Sequence, residues 1–588
     1  MAAICGTIAE PDVTVLGRAL ELLRHRGSER AVVEHRGAFG LASAALPGAP
    51  NAVGTSRDGT VRCVIDGRLF NFAELAASAE LPSTTPVATI VAEVLAREGT
   101  AALARLDGAY ALGATIGDRM LLARDPLGEK PLYYVALPGG RVAFASETKA
   151  FLAMPGFTVR PNPASLFALL VFSFIPGQSS MFEDVCELEP GRHLTIDAGG
   201  HIGPSVAHWT LREQIADEPL EYFTAEILRL CNEAVDRRIP ADGKVTATLS
   251  GGVDSSSIVA MLAQRGLHPI CFSAAFGDGQ PNELGYARLV AEHCKVEHRV
   301  IDVEPEGFLD LLPKVIWNLD DPLCDCITVP NYLLAQAAAK EAPVVFNGEG
   351  GDPLFGGPKN KFLILGEWYR AYGNYDRPRA YLASYHKCFE LTDEMCTPEF
   401  LARSGGSPAL EDYVRPFLDD ETVGNFLNRL MHLNIKLKGG QNILVKVDKM
   451  LSANGVEPAS PLFDRRLAEF SFSIPPVLKR RGDVEKFAFK KAIEHLLPHP
   501  VVYRKKAGMG VPLNHWFRRE PLRGYTREVL LSPRARARGY FDMGFVERLV
   551  AGKPPAHAVG RDRGGELLWM LLAIELWHRV FVDGEGRP

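Results

Sequence analysis

Between an apolar run, Val245 to Leu249, and a helix-patterned stretch, Ser255 to Gln264, the chain reads Ser250-Gly251-Gly252-Val253-Asp254-Ser255-Ser256. A strand that ends in a glycine turn and restarts as a helix directs successive backbone N–H groups at one point, a geometry that binds phosphate. The glycines permit the turn and let the backbone approach an anion closely. Ser250, Ser255 and Ser256 add hydroxyl donors. Asp254 cannot bind a bare anion, but it can hold the Mg²⁺ that accompanies a nucleotide. No Lys follows the second Gly, so this is not a Walker-type loop. The competing reading is a glycine-rich turn with a serine cap.

A second turn of the same kind weighs against that reading. Val344-Val345-Phe346 has the pattern of a short buried strand. It runs into Asn347-Gly348-Glu349-Gly350-Gly351-Asp352. Ligands of open α/β sheets sit beyond the carboxyl ends of the strands. Asp254 and Asp352 are therefore expected to converge on one Mg²⁺, with Glu349 at the reacting carbonyl or amine.

The chain has 588 residues, which is long for one core and predicts two or more domains. It is 47% hydrophobic and 23% charged, the balance of an ordinary folded protein. A net charge of −6 without a basic run argues against a nucleic-acid binder. Ten cysteines without a CxxC pair read as reduced thiols, and Cys324-Asp325-Cys326 lacks nearby histidines for zinc. No secretory leader is visible, and Pro176 stops the apolar run Leu166 to Ile175 short of a membrane span. A cytoplasmic location is expected. Leu567 to Val582, interrupted by Glu575, His578 and Arg579, is predicted to be an amphipathic core helix.

Residues 1–205 alternate short apolar runs with Gly, Asp and Arg turns, as at Val61 to Ile65, Met120 to Ala123 and Val142 to Ala145. Helices are predicted at Val15 to Arg24 and Val87 to Arg97. After a polar connector, residues 215–588 form the second predicted domain. It opens as strand-then-helix, with strands at Val245 to Leu249, Ile270 to Ala275, Arg299 to Val303 and Val344 to Phe346, and turns mostly helical after Gly357.

Ordered blocks now accumulate. They are Arg24-His25-Arg26-Gly27, Leu106-Asp107-Gly108, Ala123-Arg124-Asp125-Pro126-Leu127-Gly128 and Phe144-Ala145-Ser146-Glu147-Thr148-Lys149. The glycine loop, Asp321-Pro322, the Gly348-Glu349-Gly350-Gly351-Asp352 turn, Lys446-Val447-Asp448-Lys449 and Pro461-Leu462-Phe463-Asp464 follow. Together they resemble the asparagine synthetase family over nearly the whole chain. The resemblance implies an α/β protein with two parts. The first is an αββα, Ntn-hydrolase-like class II glutaminase domain. The second is a doubly wound ATP pyrophosphatase domain with a helical C-terminal part. It also implies an ATP- and Mg²⁺-dependent ligase that adenylates a carboxylate, passes it to an amine and releases AMP and PPi. By resemblance, Ser250, Gly251, Gly252, Asp254, Ser255 and Ser256 bind PPi. Leu249, Phe272, Ser273 and Gly348 contact the adenylate. Asp254 and Asp352 hold Mg²⁺, and Lys486 contacts PPi or the intermediate. A solvated helix lysine is the competing reading of Lys486.

The N-terminal half departs from that pattern. Working members of the family start Met-Cys-Gly and use the cysteine's own amine as base. Here the start is Met1-Ala2-Ala3-Ile4-Cys5-Gly6, so Cys5 becomes a nucleophile only after trimming. The family's Asn-Gly-Glu aligns with Asp66-Gly67-Arg68, which exchanges an oxyanion donor for a carboxylate and reverses the charge of the ammonium site. The glutaminase is expected to be vestigial. In the other half, the family's Glu-Val-Arg-Val-Pro aligns with Glu457-Pro458-Ala459-Ser460-Pro461, so an arginine beside the substrate is missing. Relatives with a degraded glutaminase include β-lactam synthetases, which carry a Tyr at the Glu349 position, and lasso-peptide cyclases, closer in length. The expectation is an amide synthetase of peptide or natural-product biosynthesis acting on a carboxylate and an amine. The alternatives are a glutamine-hydrolysing asparagine synthetase, a glutamine-dependent amidotransferase on another acid, and a non-catalytic scaffold. The oligomeric state stays open between a homodimer and an assembly with partner biosynthetic proteins.

Overall fold

A computed structural model describes residues 2–9, 12–46, 53–277, 283–322, 324–357, 361–369, 376–384, 388–504, 510–553, 555 and 562–587. The chain divides into two compact units that are not continuous in sequence. The first comprises residues 1–160, 177–211 and 436–458; the second comprises 161–176, 212–435 and 459–588. Relative to a division at residues 205–215, one short segment thus changes sides in each direction.

The first unit is built on two antiparallel six-stranded sheets. One takes β1 (Ala2–Ile8), β2 (Glu29–Arg36), β3 (Phe39–Ala45), β8 (Tyr133–Leu137), β9 (Arg141–Ala145) and β10 (Val185–Glu187) in the order β10-β8-β9-β1-β3-β2. The other takes β4 (Val53–Thr55), β5 (Val61–Leu69), β6 (Gly108–Ile116), β7 (Arg119–Arg124), β11 (Arg192–Asp197) and β12 (Val206–Ala207) in the order β12-β11-β7-β6-β5-β4. The central strands are buried on both faces, and one face of each sheet closes on the other sheet. Ile4, Ile8, Leu41, Val64, Leu122, Phe144 and Leu194 fill the space between them. The Phe144 ring needs two glycines there. A Cβ on Gly6 would fall 2.2 Å from the ring, and one on Gly113 would fall 2.5 Å from it. Helix α1 (Val13–Leu22) buries Val15, Leu16, Ala19 and Leu20 against the first sheet. Helices α2 (Phe72–Ser78) and α3 (Val87–Glu98) cover the second through Leu75, Ile90, Val91 and Leu95. This is the αββα order of an Ntn-type glutaminase fold.

In the second unit, α4 (Pro163–Phe172) and α5 (Leu220–Asp236) precede a parallel sheet. Its strands β13 (Val245–Thr248), β14 (Ile270–Ala275), β15 (His298–Asp302) and β16 (Val344–Phe346) lie in the order β15-β14-β13-β16. Helices α6 (Val253–Gln264) and α7 (Leu284–Cys294) carry the chain from β13 outward to β15. Helices α8 (Pro305–Leu319) and α9 (Thr328–Ala338) then return it to the other side of β13, as β16. The winding reverses between β13 and β16, and an α/β sheet binds its ligand at such a reversal. The two glycine turns of the sequence follow these two strands; the second leads into α10 (Gly351–Phe355). The remainder is mostly helical. Its helix Gly564–Trp577 is buried on every side rather than amphipathic. Glu575 is kept inside by ion pairs with Arg538 and Arg579, at 3.3 and 3.2 Å. No described helix is long and apolar enough to cross a membrane.

Candidate active site

The first glycine turn begins where β13 ends. Gly251 takes a left-handed φ of +75°, and Gly252 caps α6. The polar groups of this loop converge. The Ser250 N–H donates to Ser255 Oγ at 3.1 Å, the two serine hydroxyls lie 3.0 Å apart, and the Gly252 N–H donates to Ser250 Oγ at 3.3 Å. Ser256 Oγ is buried and has no hydrogen-bond partner among the described residues. Donors and hydroxyls at a helix start, one of them unsatisfied, match what a phosphate group requires.

The second turn lies directly against the first. A Cβ on Gly348 would fall 2.2 Å from the Ser255 nitrogen, and one on Gly351 would fall 2.1 Å from Asp254 Oδ1. Only glycine lets the two turns approach this closely. Lys486 joins them. Its Nζ lies 2.8 and 2.6 Å from the two Asp254 oxygens and 2.6 Å from Asp352 Oδ1. Burial alone would pull this ammonium down, but the two carboxylates outweigh it and hold Lys486 above the ordinary lysine range. Lys486 also sits at φ +54°, where it caps the helix Phe487–Ile493. It is therefore a buried, doubly paired residue and not a solvated helix lysine.

Asp254 and Asp352 thus share one cation site, here satisfied by the Lys486 ammonium. Among the described residues, no group of three or more His, Cys, Asp or Glu forms a metal cage. Mg²⁺ asks for less, since it commonly takes one or two carboxylates and completes its shell with phosphate oxygens and water. The pair fits that demand.

Of the residues expected by resemblance to contact an adenylate, Leu249 and Phe272 are buried, and the Leu249 N–H donates to the Phe272 carbonyl at 2.9 Å. Ser273 Oγ donates to the Leu249 carbonyl and lies 2.7 Å from His298 Nε2. Glu349 is half-buried. Its N–H donates at 3.0 Å to the side-chain carbonyl of Asn347, whose amide group donates to Ser460 Oγ at 3.0 Å. The Asn347 N–H donates to the carbonyl of Ala459, the residue aligned with the missing arginine, at 3.0 Å.

The first unit places its candidate residues differently from the sequence expectation. Cys5 lies inside β1, paired with Ala42 and Ala145 and fully buried. Burial pushes its thiol up to about 12. Asp66 is meant to face an oxyanion. Instead, one of its oxygens accepts the Ala2 N–H at 2.8 Å and the other accepts Arg26 Nη2 at 2.7 Å. Its charge is answered internally by Arg26, so it does not stand as an unpaired carboxylate. The residue that meets Asp66 is Ala2, which has no nucleophile. Gly67, at φ +120°, has to be glycine, because a Cβ there would fall 2.0 Å from the Ala109 carbonyl oxygen. Arg68 pairs with Glu457 at 3.4 Å.

Arg26 is the hub of this region. Its Nη1 donates to Asp448 at 2.7 Å and to Glu147 at 3.0 Å, and Lys130 reaches Asp448 at 2.7 Å. The opposite charges hold Glu147 and Asp448 below the ordinary carboxylate range although burial pushes the other way. Three of the sequence blocks therefore meet as one buried ion network.

Comparison with known proteins agrees with this geometry. The asparagine synthase profile matches residues 226–579, and the glutamine amidotransferase domain profile matches residues 1–209. The chain belongs to the asparagine synthase family. It is an ATP-dependent carbon–nitrogen ligase of the asparagine synthetase type. It is 26% identical to asparagine synthetase [glutamine-hydrolyzing] 1 of Bacillus subtilis, over 90% of this chain and 87% of that protein. It is 27% identical to a putative asparagine synthetase of Mycobacterium bovis, over 100% and 97%. It is 23% identical to the amidase chyE of Penicillium rubens, over 84% and 83%.

Within this synthase, the sequence alone assigned no role to Ala2, Arg26 or Asn347. Arg26 was visible as part of a family block, and a buried partner for Asp66 could have been sought there. Ala2 carried no signal, because alanine advertises no chemistry.

Proposed function

We propose that this synthase forms an amide from an adenylated carboxylate and an amine supplied by the substrate or a second small molecule, with a glutaminase domain that folds but does not hydrolyse glutamine. Peptide or natural-product biosynthesis in the cytoplasm is the setting. The observation that carries this reading is the contrast between the two sites. In the second unit, Asp254, Asp352 and Lys486 sit within hydrogen-bond distance around one point of a phosphate-type loop. In the first unit, Ala2 and Arg26 occupy the oxygens of Asp66, and Cys5 is sealed in β1.

The chemistry follows from the residues. A carboxylate is a poor acyl donor until its oxygen is converted into a better leaving group, which adenylation accomplishes. The loop N–H groups, the serine hydroxyls and Lys486 stabilise the charge that develops on departing PPi. Mg²⁺, held by Asp254 and Asp352, would supply charge neutralisation at the phosphates. Glu349 orients or deprotonates the attacking amine. The experiment is ATP–PPi exchange with candidate acids, followed by amide formation with glutamine, ammonium or organic amines as donor. Amide formed from ammonium or an amine, but not from glutamine, supports the reading.

A second reading is a glutamine-dependent asparagine synthetase. The end-to-end match to the Bacillus subtilis and Mycobacterium bovis proteins favours it. It requires that processing expose Cys5, which is buried within β1.

A further inference from the structure

Arg504 lies more than 250 residues beyond the glycine loop in sequence, yet its side chain is spent on that loop. Nε and Nη2 both donate to the Gly251 carbonyl, at 3.2 and 3.1 Å. Nη1 pairs with Glu283, and the guanidinium lies 4.5 Å from the centre of the Tyr286 ring. The side chain is nearly buried, with 9% exposure. Glu283 and Tyr286 stand at the start of α7, against which the loop is wedged. A Cβ on Gly251 would fall 2.7 to 2.9 Å from Ala287, Glu283 and Tyr286.

The Gly251 carbonyl and the Gly252 N–H belong to one planar trans peptide, so they point to opposite sides. Arg504 takes the carbonyl on one side. On the other side the N–H meets Ser250 Oγ, which lies 3.0 Å from Ser255 Oγ. Rotating this peptide changes the ψ of Gly251 and the φ of Gly252, and glycine restricts these dihedrals less than other residues do. Rotation would turn the carbonyl oxygen into the hydroxyl cluster, where it would repel a phosphate.

We infer that Arg504 is a positioning residue of the pyrophosphate loop: it holds the Gly251–Gly252 peptide so that its N–H faces the bound phosphate. This rests on the reading of the loop as the PPi site. Glu283 and Tyr286 fix the guanidinium, so they act at one further remove.

The test is binding of inorganic pyrophosphate and of ATP–Mg²⁺ by calorimetry, with ATP–PPi exchange kinetics on the full chain. Arg504→Ala is expected to weaken PPi about tenfold, as loss of roughly one charge-assisted hydrogen bond would. The change is expected in KM more than in kcat, with partial rescue by free guanidinium. Arg504→Lys keeps the charge but not the two-pronged grip, and is expected to recover less than half of the lost binding free energy. Glu283→Gln, which leaves Arg504 in place, is expected to shift KM the same way by a smaller factor and covers the case of an Arg504 variant that fails to fold. Unchanged PPi affinity in Arg504→Ala, or full recovery in Arg504→Lys, would overturn the inference and leave the synthetase reading standing. Failure of the wild-type protein to bind either PPi or ATP would overturn both.

Discussion

Lys486 holds Asp254 through both carboxylate oxygens, at 2.8 and 2.6 Å, across 232 positions of sequence. The same ammonium reaches Asp352, so one buried cation ties the two glycine turns together at the reversal point of the sheet. Removing Lys486 would leave Asp254, which is mostly buried, without its cation, whereas removing either aspartate leaves the ammonium paired with the other.

Asp254→Ala is therefore expected to abolish ATP–PPi exchange. The phosphate site loses its carboxylate, and Lys486 keeps only Asp352. Asp352→Ala is expected to weaken exchange while leaving more of it, because Asp254 retains both contacts to Lys486. Parallel exchange assays at saturating ATP and Mg²⁺ check the order of the two variants. Normal exchange in Asp254→Ala sinks the assignment.

The Glu349 backbone N–H donates to the Asn347 side-chain carbonyl. Glu349→Gln is expected to keep adenylation and to slow amide formation by about 10²–10⁴-fold, the usual range for loss of a general base. Separate measurement of the two half-reactions decides this. Equal loss in both would make Glu349 a structural acid.

The Arg26 network makes a stability prediction for the first unit. Arg26→Met strands Asp66, Glu147 and Asp448 with less countercharge. The expected loss is on the order of 3–5 kcal/mol, measured by denaturant unfolding. A loss within experimental error would show that these carboxylates are solvated or otherwise paired.

A pH dependence is built into the last helix. His578 is buried, lies 2.8 Å from the Ile574 carbonyl through Nδ1 and 3.1 Å from Tyr540 through Nε2, and burial pushes it down to about 4. Its folded value lies below its unfolded one, so the unfolded chain takes up the proton first as pH falls. Stability from this group is fully present above about pH 6.5 and is lost as pH falls toward 4, by on the order of 3 kcal/mol. His578→Gln is expected to flatten that part of the stability-versus-pH curve. An unaltered slope would assign it to other groups.

What the sequence disclosed was local. Strand, glycine turn and helix lie within about twenty residues at Val245 to Gln264, so their geometry is written in neighbouring side chains. The αββα class was implied by the family resemblance of the ordered blocks, and the strand-then-helix pattern of the second half pointed to the doubly wound class as well. What stayed hidden was long-range pairing. Lys486 was visible as a lysine, but its left-handed backbone and its two carboxylate partners come from the assembled fold. Asp66 read as an unanswered charge because Arg26, forty positions away, had no visible reason to turn toward it. Glu575 and His578 suggested a wet helix face, yet ion pairs and hydrogen bonds carry both into the interior. Cys5 drew the eye as a nucleophile, whereas strand pairing with Ala42 and Ala145 decides its burial.

The source of the amine is the central question, and one measurement addresses it directly. Purified enzyme is given glutamine labelled at its side-chain amide, with ATP, Mg²⁺ and an acid that supports ATP–PPi exchange. Glutamate release and transfer of the label are followed together, with the mass of the mature N-terminus, for wild type and Cys5→Ala. Losing one oxyanion donor alone costs about 10²–10³ in rate, and Cys5 is buried within β1. The expected result is no glutamate above background, no label in the product, and amide synthesis from ammonium or an amine that Cys5→Ala leaves intact. Glutamate release that Cys5→Ala removes, or a mature chain beginning at Cys5, would contradict the silent-domain account and restore a glutamine-dependent amidotransferase.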